Sequence, residues 1–322
     1  MRTPKALIIG SSGQDGPILA QQYLQLNWDV HCISRSESAR ISKIGINQEQ
    51  LDLKSGQSLR DRIISICPDV IINLASKSSV AYCETHISES FETNFRLVER
   101  LVEDVKIAAS NLNKEIKFIQ ASSSEMFGEQ EFPCNEETIM SPISIYGKHK
   151  FLAHKLVTSQ QHELVKFHSA ILFNHESEYR PDLFVSSKVA RAAAEVKLFG
   201  FTNIEFGSLD NKRDWGYAPD YMEAIVNISQ FSQAKSYVIG SGLLHSVREM
   251  LTAAFEHVGT PNYMDYVRIN EQFVRSINPK PVVSDPRRIY DDLGWVSKVK
   301  FESLVTKLVE AKIAELKGKQ SV

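Results

Sequence analysis

Through the first half of the chain, short apolar runs rich in Val and Ile alternate with amphipathic stretches. Lys5–Ile9, Trp28–Ile33, Asp69–Leu74 and Ile116–Ala121 read as strands, because apolar runs of this length between turn residues suit strands covered on both faces. Gly16–Leu26, Ser55–Ile66 and the long Ser88–Ser110 read as the intervening helices. Helix Ile145–His162 and strand Val165–Phe173 continue the rhythm. Strands alternating with helices imply right-handed crossovers between parallel strands. The predicted class is α/β, a Rossmann-type doubly wound parallel sheet.

Past residue 174 the rhythm loosens. N-H-E-S-E-Y-R-P-D, residues 174–182, reads as a loop, and helices follow at Val185–Leu198, Pro219–Phe231, Ser246–His257 and Phe301–Leu316. Asn203–Phe206 and Ser236–Ile239 read as short strands among them. The expected division is a dinucleotide-binding domain at 1–173, which also carries the chemistry, and a smaller α/β substrate-binding lobe at 174–322 that could return one strand to the main sheet. A cleft between the two would lie beyond the carboxyl ends of the strands, where open α/β sheets bind ligands.

Composition narrows the class. With 322 residues, 43% hydrophobic and 24% charged, the chain can bury a sizeable core. A net charge of −2 creates no field that would draw nucleic acid or an anionic membrane, so neither is an expected partner. No apolar run approaches the roughly 20 residues of a membrane span. The apolar part of the opening M-R-T-P-K-A-L-I-I-G is too short for a secretory signal. Cys32, Cys67, Cys83 and Cys134 show neither C-x-x-C nor zinc spacing, and no histidine spacing suits a metal. The expectation is a soluble cytoplasmic protein with reduced thiols and no metal.

The first predicted strand runs straight into Gly10-Ser11-Ser12-Gly13-Gln14-Asp15-Gly16. Glycines allow a tight turn and close backbone approach, and the following helix N-terminus favours a pyrophosphate. Placed between the first strand and first helix, this loop points to a dinucleotide. The second strand ends His31-Cys32-Ile33-Ser34-Arg35-Ser36, with no acid until Glu37. An acid there would take the ribose 2′-hydroxyl of NAD, whereas arginine forks onto a 2′-phosphate, so NADP is the favoured cofactor. Asp52 and Leu53 are placed to meet the adenine, and Leu74 and Ala75 to border the cofactor.

Strand 116–121 runs into Q-A-S-S-S-E-M-F-G, residues 120–128, and Y-G-K-H-K follows at 146–150. Tyr146 and Lys150, four apart on one helix face, suit proton abstraction: an adjacent ammonium and a positive nicotinamide ring would bring the phenol down from its ordinary value of about 10. Lys150 can also hold the nicotinamide ribose.

This order of glycine triplet, strand-end serines and Tyr146/Lys150 resembles the extended short-chain dehydrogenase/reductase family. The resemblance implies that Ser123 hydrogen-bonds the substrate hydroxyl that Tyr146 deprotonates. Glu125, just behind it, matches the extra acid/base of the sugar-nucleotide 4,6-dehydratases, which must also remove a C5 proton and expel the 6-hydroxyl as water. Within that group the chain resembles the GDP-mannose 4,6-dehydratases over nearly its whole length. The shared stretches are G-x-x-G-Q-D-G at Gly10–Gly16, Q-A-S-x-S-E at Gln120–Glu125, I-L-F-N-H-E-S at Ile171–Ser177, R-D-W-G at Arg213–Gly216, and D-P then L-G-W within Asp285–Trp295.

The resemblance further implies that Asn174, Lys188 and Arg213 contact a sugar nucleotide, Arg275 its diphosphate or guanine end, and Ser78 the hexose. It implies a homodimer or homotetramer, and an internal redox elimination that leaves NADP unconsumed. The chain departs from the pattern in four places. Ser123 stands for Thr, Ser187 for a basic residue, and Asn278 for the glutamate of R-P-A-E; the stretch after Arg35 is short. A related substrate such as a GDP-heptose is therefore an alternative. So is an NADPH-dependent 4-keto reductase or an epimerase, which would not need Glu125; a non-catalytic dinucleotide sensor would need none of Glu125, Tyr146 and Lys150.

Overall fold

A computed structural model describes residues 2–46, 48–53, 56–260, 262–270 and 280–320. Its strands are β1 (Lys5–Ile9), β2 (Asp29–Ser34), β3 (Gln48–Gln50), β4 (Val70–Asn73), β5 (Ile116–Ser123) and β6 (Val165–Leu172), then β7 (Asn174–Glu176), β8 (Glu205–Phe206), β9 (Lys212–Tyr217), β10 (Ser236–Ile239), β11 (Leu244–Ser246) and β12 (Arg268–Ile269). Seven of them form a parallel sheet in the order β10-β6-β5-β4-β1-β2-β3. The chain reverses direction of growth between β1 and β4, the switch point at which such sheets open a crevice. Register sets Ile9 beside both Ile33 and Asn73, and Ser123 beside Leu172, so the loops that follow leave the sheet along one edge.

Helices α1 (Asp15–Gln25), α2 (Ala39–Lys43), α3 (Gly56–Ile66), α4 (Val80–Thr85), α5 (Ile87–Phe91), α6 (Leu97–Leu112) and α7 (Ile145–Thr158) belong to the first half. Alternation along β1 feeds two cores. Ala6 and Ile8 pack with Leu19 of α1, while Leu7 and Ile9 pack with Leu59 of α3 and Val98 of α6. Burial on both faces explains the unbroken apolar run.

The helix expected over Ser88–Ser110 is interrupted by a π-turn at Glu92–Arg96. Asn94 in that turn is buried, and its amide group bonds the Ser76 hydroxyl (2.8 Å) and the Lys77 backbone nitrogen (2.9 Å), tying the turn to the loop after β4. Helix α7 stops at Thr158, short of the expected His162. The side chains of Ser159 and Gln160 turn back onto the Leu156 carbonyl and close the last turn.

The second half adds α8 (Val185–Phe199), α9 (Ala218–Gln230), α10 (Val247–His257), α11 (Arg287–Leu293) and α12 (Phe301–Gln320). Val189, Trp215, Leu251, Phe255 and Leu304 form a third core there. Yet β10 pairs with β6 in the main sheet, and Met222 and Ile225 of α9 share a core with Leu19. All four cysteines are free, three of them buried. Among the described residues no helix is long and apolar enough to cross a membrane.

Candidate active site

Along the carboxyl edge of the sheet lies a cleft of about 640 Å³. Its floor begins with the β1–α1 turn. Gly10 holds φ at +82°, and a Cβ there would lie 2.4 Å from the Ala75 backbone nitrogen, so only glycine lets this turn sit against the end of β4. Gly13 differs: the nearest atom to its missing Cβ is the Gly10 carbonyl oxygen at 3.8 Å, and its bare side faces the cleft. A bare backbone at the head of α1 fits a pyrophosphate.

Gln14 and Asp15 border the cleft, and their side chains reach across to β7. Gln14 donates to the His175 carbonyl (3.2 Å) and accepts from the Ser177 backbone nitrogen (3.0 Å). Asp15 meets His175 Nε2 at 3.1 Å. Burial alone would push the Asp15 carboxyl up and the His175 imidazole down; their mutual charge and hydrogen bond more than reverse this, leaving Asp15 below its ordinary value and His175 above.

Arg35 lines the cleft beside Ser34 and Ser36, half exposed. The sequence shows no acid next to it, yet the fold brings the Glu89 carboxylate of α5 to 4.0 Å. Glu89 is also held by Lys77 (2.7 Å) and by the Tyr82 hydroxyl. Leu53 is buried in the cleft wall, whereas Asp52 is exposed and stands off it, beyond the short β3. Gly16, Leu74, Ala75 and Ser78 all line the cleft.

Ser123 ends β5, and its hydroxyl accepts from the Glu125 backbone nitrogen at 3.3 Å, starting a short 3-10 turn that presents Glu125. Across from it begins α7, capped by Ser144, whose hydroxyl accepts from the Gly147 nitrogen (3.0 Å) and donates to the Glu125 carboxylate (3.2 Å). Gly147 is needed for this approach, because a Cβ there would come within 2.4 Å of the Glu125 carbonyl oxygen. Tyr146 and Lys150 follow on the buried face of α7, and Lys150 Nζ donates to the Ala121 carbonyl at 2.5 Å.

Burial brings the Lys150 ammonium down to about 8, so it stays largely charged at neutral pH. Apart from the dinucleotide's charge, burial pushes the Tyr146 phenol up to about 12, against hydrogen bonding from Ser123 and Ser76. In this enclosed position desolvation of the phenolate outweighs its neighbours.

The motifs of the second half divide by strand alternation. In β9, Arg213 and Trp215 line the cleft. Asp214 between them points away and accepts from Ser241, Gly242 and Ser284, stapling loops together. Asn174 and Lys188 line the cleft. Ser187 is buried and donates to Asp182, which also takes Lys312, so it faces away from any ligand. The D-P and L-G-W stretches are architectural; Trp295 is buried and donates to the Asp220 carbonyl at 2.9 Å. Arg275 and Asn278 lie outside the described residues.

Sequence reasoning missed several residues that border the cleft: Ser76, Arg100, Arg180, Trp215 and Glu205. It also missed Ser144. A capping serine just ahead of the helix was a signal for the last, and period-two alternation for Trp215; Arg100 and Arg180 carried none.

A glycine turn at the sheet's switch point, with serine, tyrosine and lysine gathered over its carboxyl edge, defines a short-chain dehydrogenase/reductase. Solved structures agree on the fold: UDP-glucose 4-epimerase from Thermotoga maritima with UDP-glucose (TM-score 0.86, 18% identity, 97% of this chain and 99% of that one) and dTDP-glucose 4,6-dehydratase from Bacillus anthracis in complex with NAD (TM-score 0.82, 18%, 98% of each). A family model described as GDP-mannose 4,6 dehydratase matches residues 7–308. GDP-mannose 4,6 dehydratase 2 of Arabidopsis thaliana is 33% identical over 95% of this chain and 86% of its own length, and the Homo sapiens GDP-mannose 4,6 dehydratase 31% over 96% and 91%. The chain belongs to the GDP-mannose 4,6-dehydratase family, hydro-lyases that act on sugar nucleotides.

Proposed function

We propose that the protein converts GDP-mannose into GDP-4-keto-6-deoxymannose with loss of water, using NADP in the cytoplasm as a homo-oligomer. The observation that carries the reading is the Ser144 hydroxyl, which holds the Glu125 carboxylate at the head of the helix bearing Tyr146 and Lys150. Neither an epimerase nor a reductase needs a carboxylate fixed there.

The β1–α1 turn would hold the dinucleotide's pyrophosphate, Arg35 with Ser34 and Ser36 the 2′-phosphate, Leu53 the adenine, and Lys150 the nicotinamide ribose. When bound, the dinucleotide supplies the acceptor for hydride leaving C4 and returns that hydride to C6. Ser123 holds the 4-hydroxyl oxygen while Tyr146 takes its proton. The charged Lys150 offsets part of the cost of the buried phenolate. The 4-ketone acidifies C5–H; Glu125 takes that proton and delivers it to the C6 oxygen, which leaves as water. Tyr146 then returns its proton to C5, so the sugar loses H2O and nothing else. Asn174, Lys188, Arg213 and Arg275 bind the nucleotide arm, and Ser78 lies beside the hexose.

Incubation with GDP-mannose deuterated at C4 and catalytic NADP tests this. Mass spectrometry is expected to find loss of one water with deuterium moved to C6. A keto sugar that retains its 6-hydroxyl, with one NADP reduced to NADPH for each sugar oxidised, would overturn it.

A further inference from the structure

Five acids border the cleft among the described residues: Asp15, Glu92, Glu125, Glu176 and Glu205. Four of them are engaged. Asp15 pairs with His175, Glu92 faces Arg100 at 3.8 Å, Glu125 heads the catalytic helix, and Glu176 takes Ser186 and Arg180. Glu205 has no part in the chemistry described.

Its placement is built. Phe206, next along β8, is 3% exposed and belongs to the second-half core, so alternation turns Glu205 to the opposite side, into the cleft wall. Strand β8 pairs in parallel with β12, where Arg268 stands opposite Glu205. Asn270, just beyond β12, donates its amide to Glu205 Oε2 at 2.8 Å and fixes the carboxylate's orientation. Around it the wall continues through Gly207, Ser208, Asn211 and Arg213.

Building on the nucleotide-sugar reading above, we propose that Glu205 reads the nucleobase, accepting from the N1–H and the exocyclic amine of a guanine. A carboxylate has two oxygens with about four acceptor positions, so the Asn270 bond leaves acceptor capacity on both. Guanine alone among the common bases presents two adjacent donors on one edge. Uracil and thymine flank one N–H with two carbonyls, and adenine and cytosine set a bare ring nitrogen beside the amine; each would turn an acceptor toward the carboxylate. Rejection of those bases is then as much repulsion as lost bonding. Asn278, standing where the family pattern carries a glutamate, has a single carbonyl acceptor and could not replace this pair.

Competition among GDP, IDP, UDP and ADP for the NADP-loaded full chain, followed by calorimetry, tests the assignment. IDP lacks only the exocyclic amine. One lost hydrogen bond to a charged acceptor corresponds to about 10- to 100-fold, so wild type is expected to prefer GDP to IDP by that factor and to bind UDP and ADP more weakly still. In Glu205→Gln the GDP-to-IDP preference is expected to fall below about threefold while NADP affinity is unchanged; Asn270→Leu, which removes the amide that orients the carboxylate, should show a partial loss. A Glu205→Gln protein that keeps the wild-type GDP-to-IDP ratio overturns the assignment and leaves the GDP-sugar reading intact. A wild type that binds UDP or ADP as tightly as GDP overturns both.

Discussion

Asp15 in the glycine turn and His175 in β7 stand 3.1 Å apart, although 160 positions separate them in the chain. Gln14 adds bonds on either side of this contact, so the glycine turn and β7, which both border the cleft, are joined as one piece. Asp15 is held below its ordinary value, so its share of stability is present above about pH 4 and lost as pH falls through the folded value. His175 is held above 6.5, so its share is full below that pH and fades as pH rises through the folded value. Asp15→Asn should therefore cost about 1–3 kcal/mol near pH 5–6 and much less above pH 8. Thermal unfolding of both proteins across that range checks this.

Ser144 joins the cap of α7 to the Glu125 carboxylate. Ser144→Ala should lower stability by about 1 kcal/mol through the lost cap. It should also lower kcat about tenfold with little change in KM, because Glu125 loses its positioning donor. Ser144→Thr keeps both bonds and is expected to restore most of the rate. Glu125→Gln, with the carboxylate gone, should bind nucleotide sugar normally and dehydrate at least about 100-fold more slowly. Steady-state kinetics on the four proteins separates these effects.

Lys150 is a liability for folding. Bringing an ammonium from 10.5 to about 8 corresponds to roughly 3 kcal/mol against the folded state wherever it is charged. That penalty is full below pH 8 and relaxes as pH rises toward 10.5. Lys150→Met should thus raise Tm at pH 7, by an amount reduced by the lost bond to Ala121, and should be inactive. The gain should vanish near pH 10.

Arg35 and Glu89 compete at the place where a 2′-phosphate would sit. Arg35→Ala is expected to weaken NADPH binding about 10- to 100-fold and NADH less than threefold. Glu89→Gln, which removes the competing charge, should tighten NADPH several-fold. Titration of cofactor fluorescence measures both.

Much of this site could be read from the chain because its parts are local. The glycine turn is one strand and one helix; Tyr146 and Lys150 share a helix face by spacing; Ser123 and Glu125 sit on one strand end. What escaped was set by register between distant segments. Glu89 reaches Arg35, and His175 reaches Asp15, only because parallel crossovers bring their loops to a common edge. Asp52 and Leu53, adjacent in sequence, part after the three-residue β3: Leu53 is buried in the cleft wall and Asp52 is exposed. Spacing also reveals the charge beside the Tyr146 phenol but not how deeply both groups are buried.

The edge strand β10 has a consequence for synthesis. Strand β6 offers one ladder to β5 and the other to β10, which leaves the ribosome some sixty residues later, a delay of several seconds at ordinary translation rates. Throughout that interval the nascent sheet carries the Ser169–Leu172 margin of β6 with its outer amides and carbonyls unpaired, an invitation to pair with a neighbouring chain. Cutting the gene after residue 173 would make that interval permanent, and the fragment is expected to aggregate rather than survive as a free-standing dinucleotide binder.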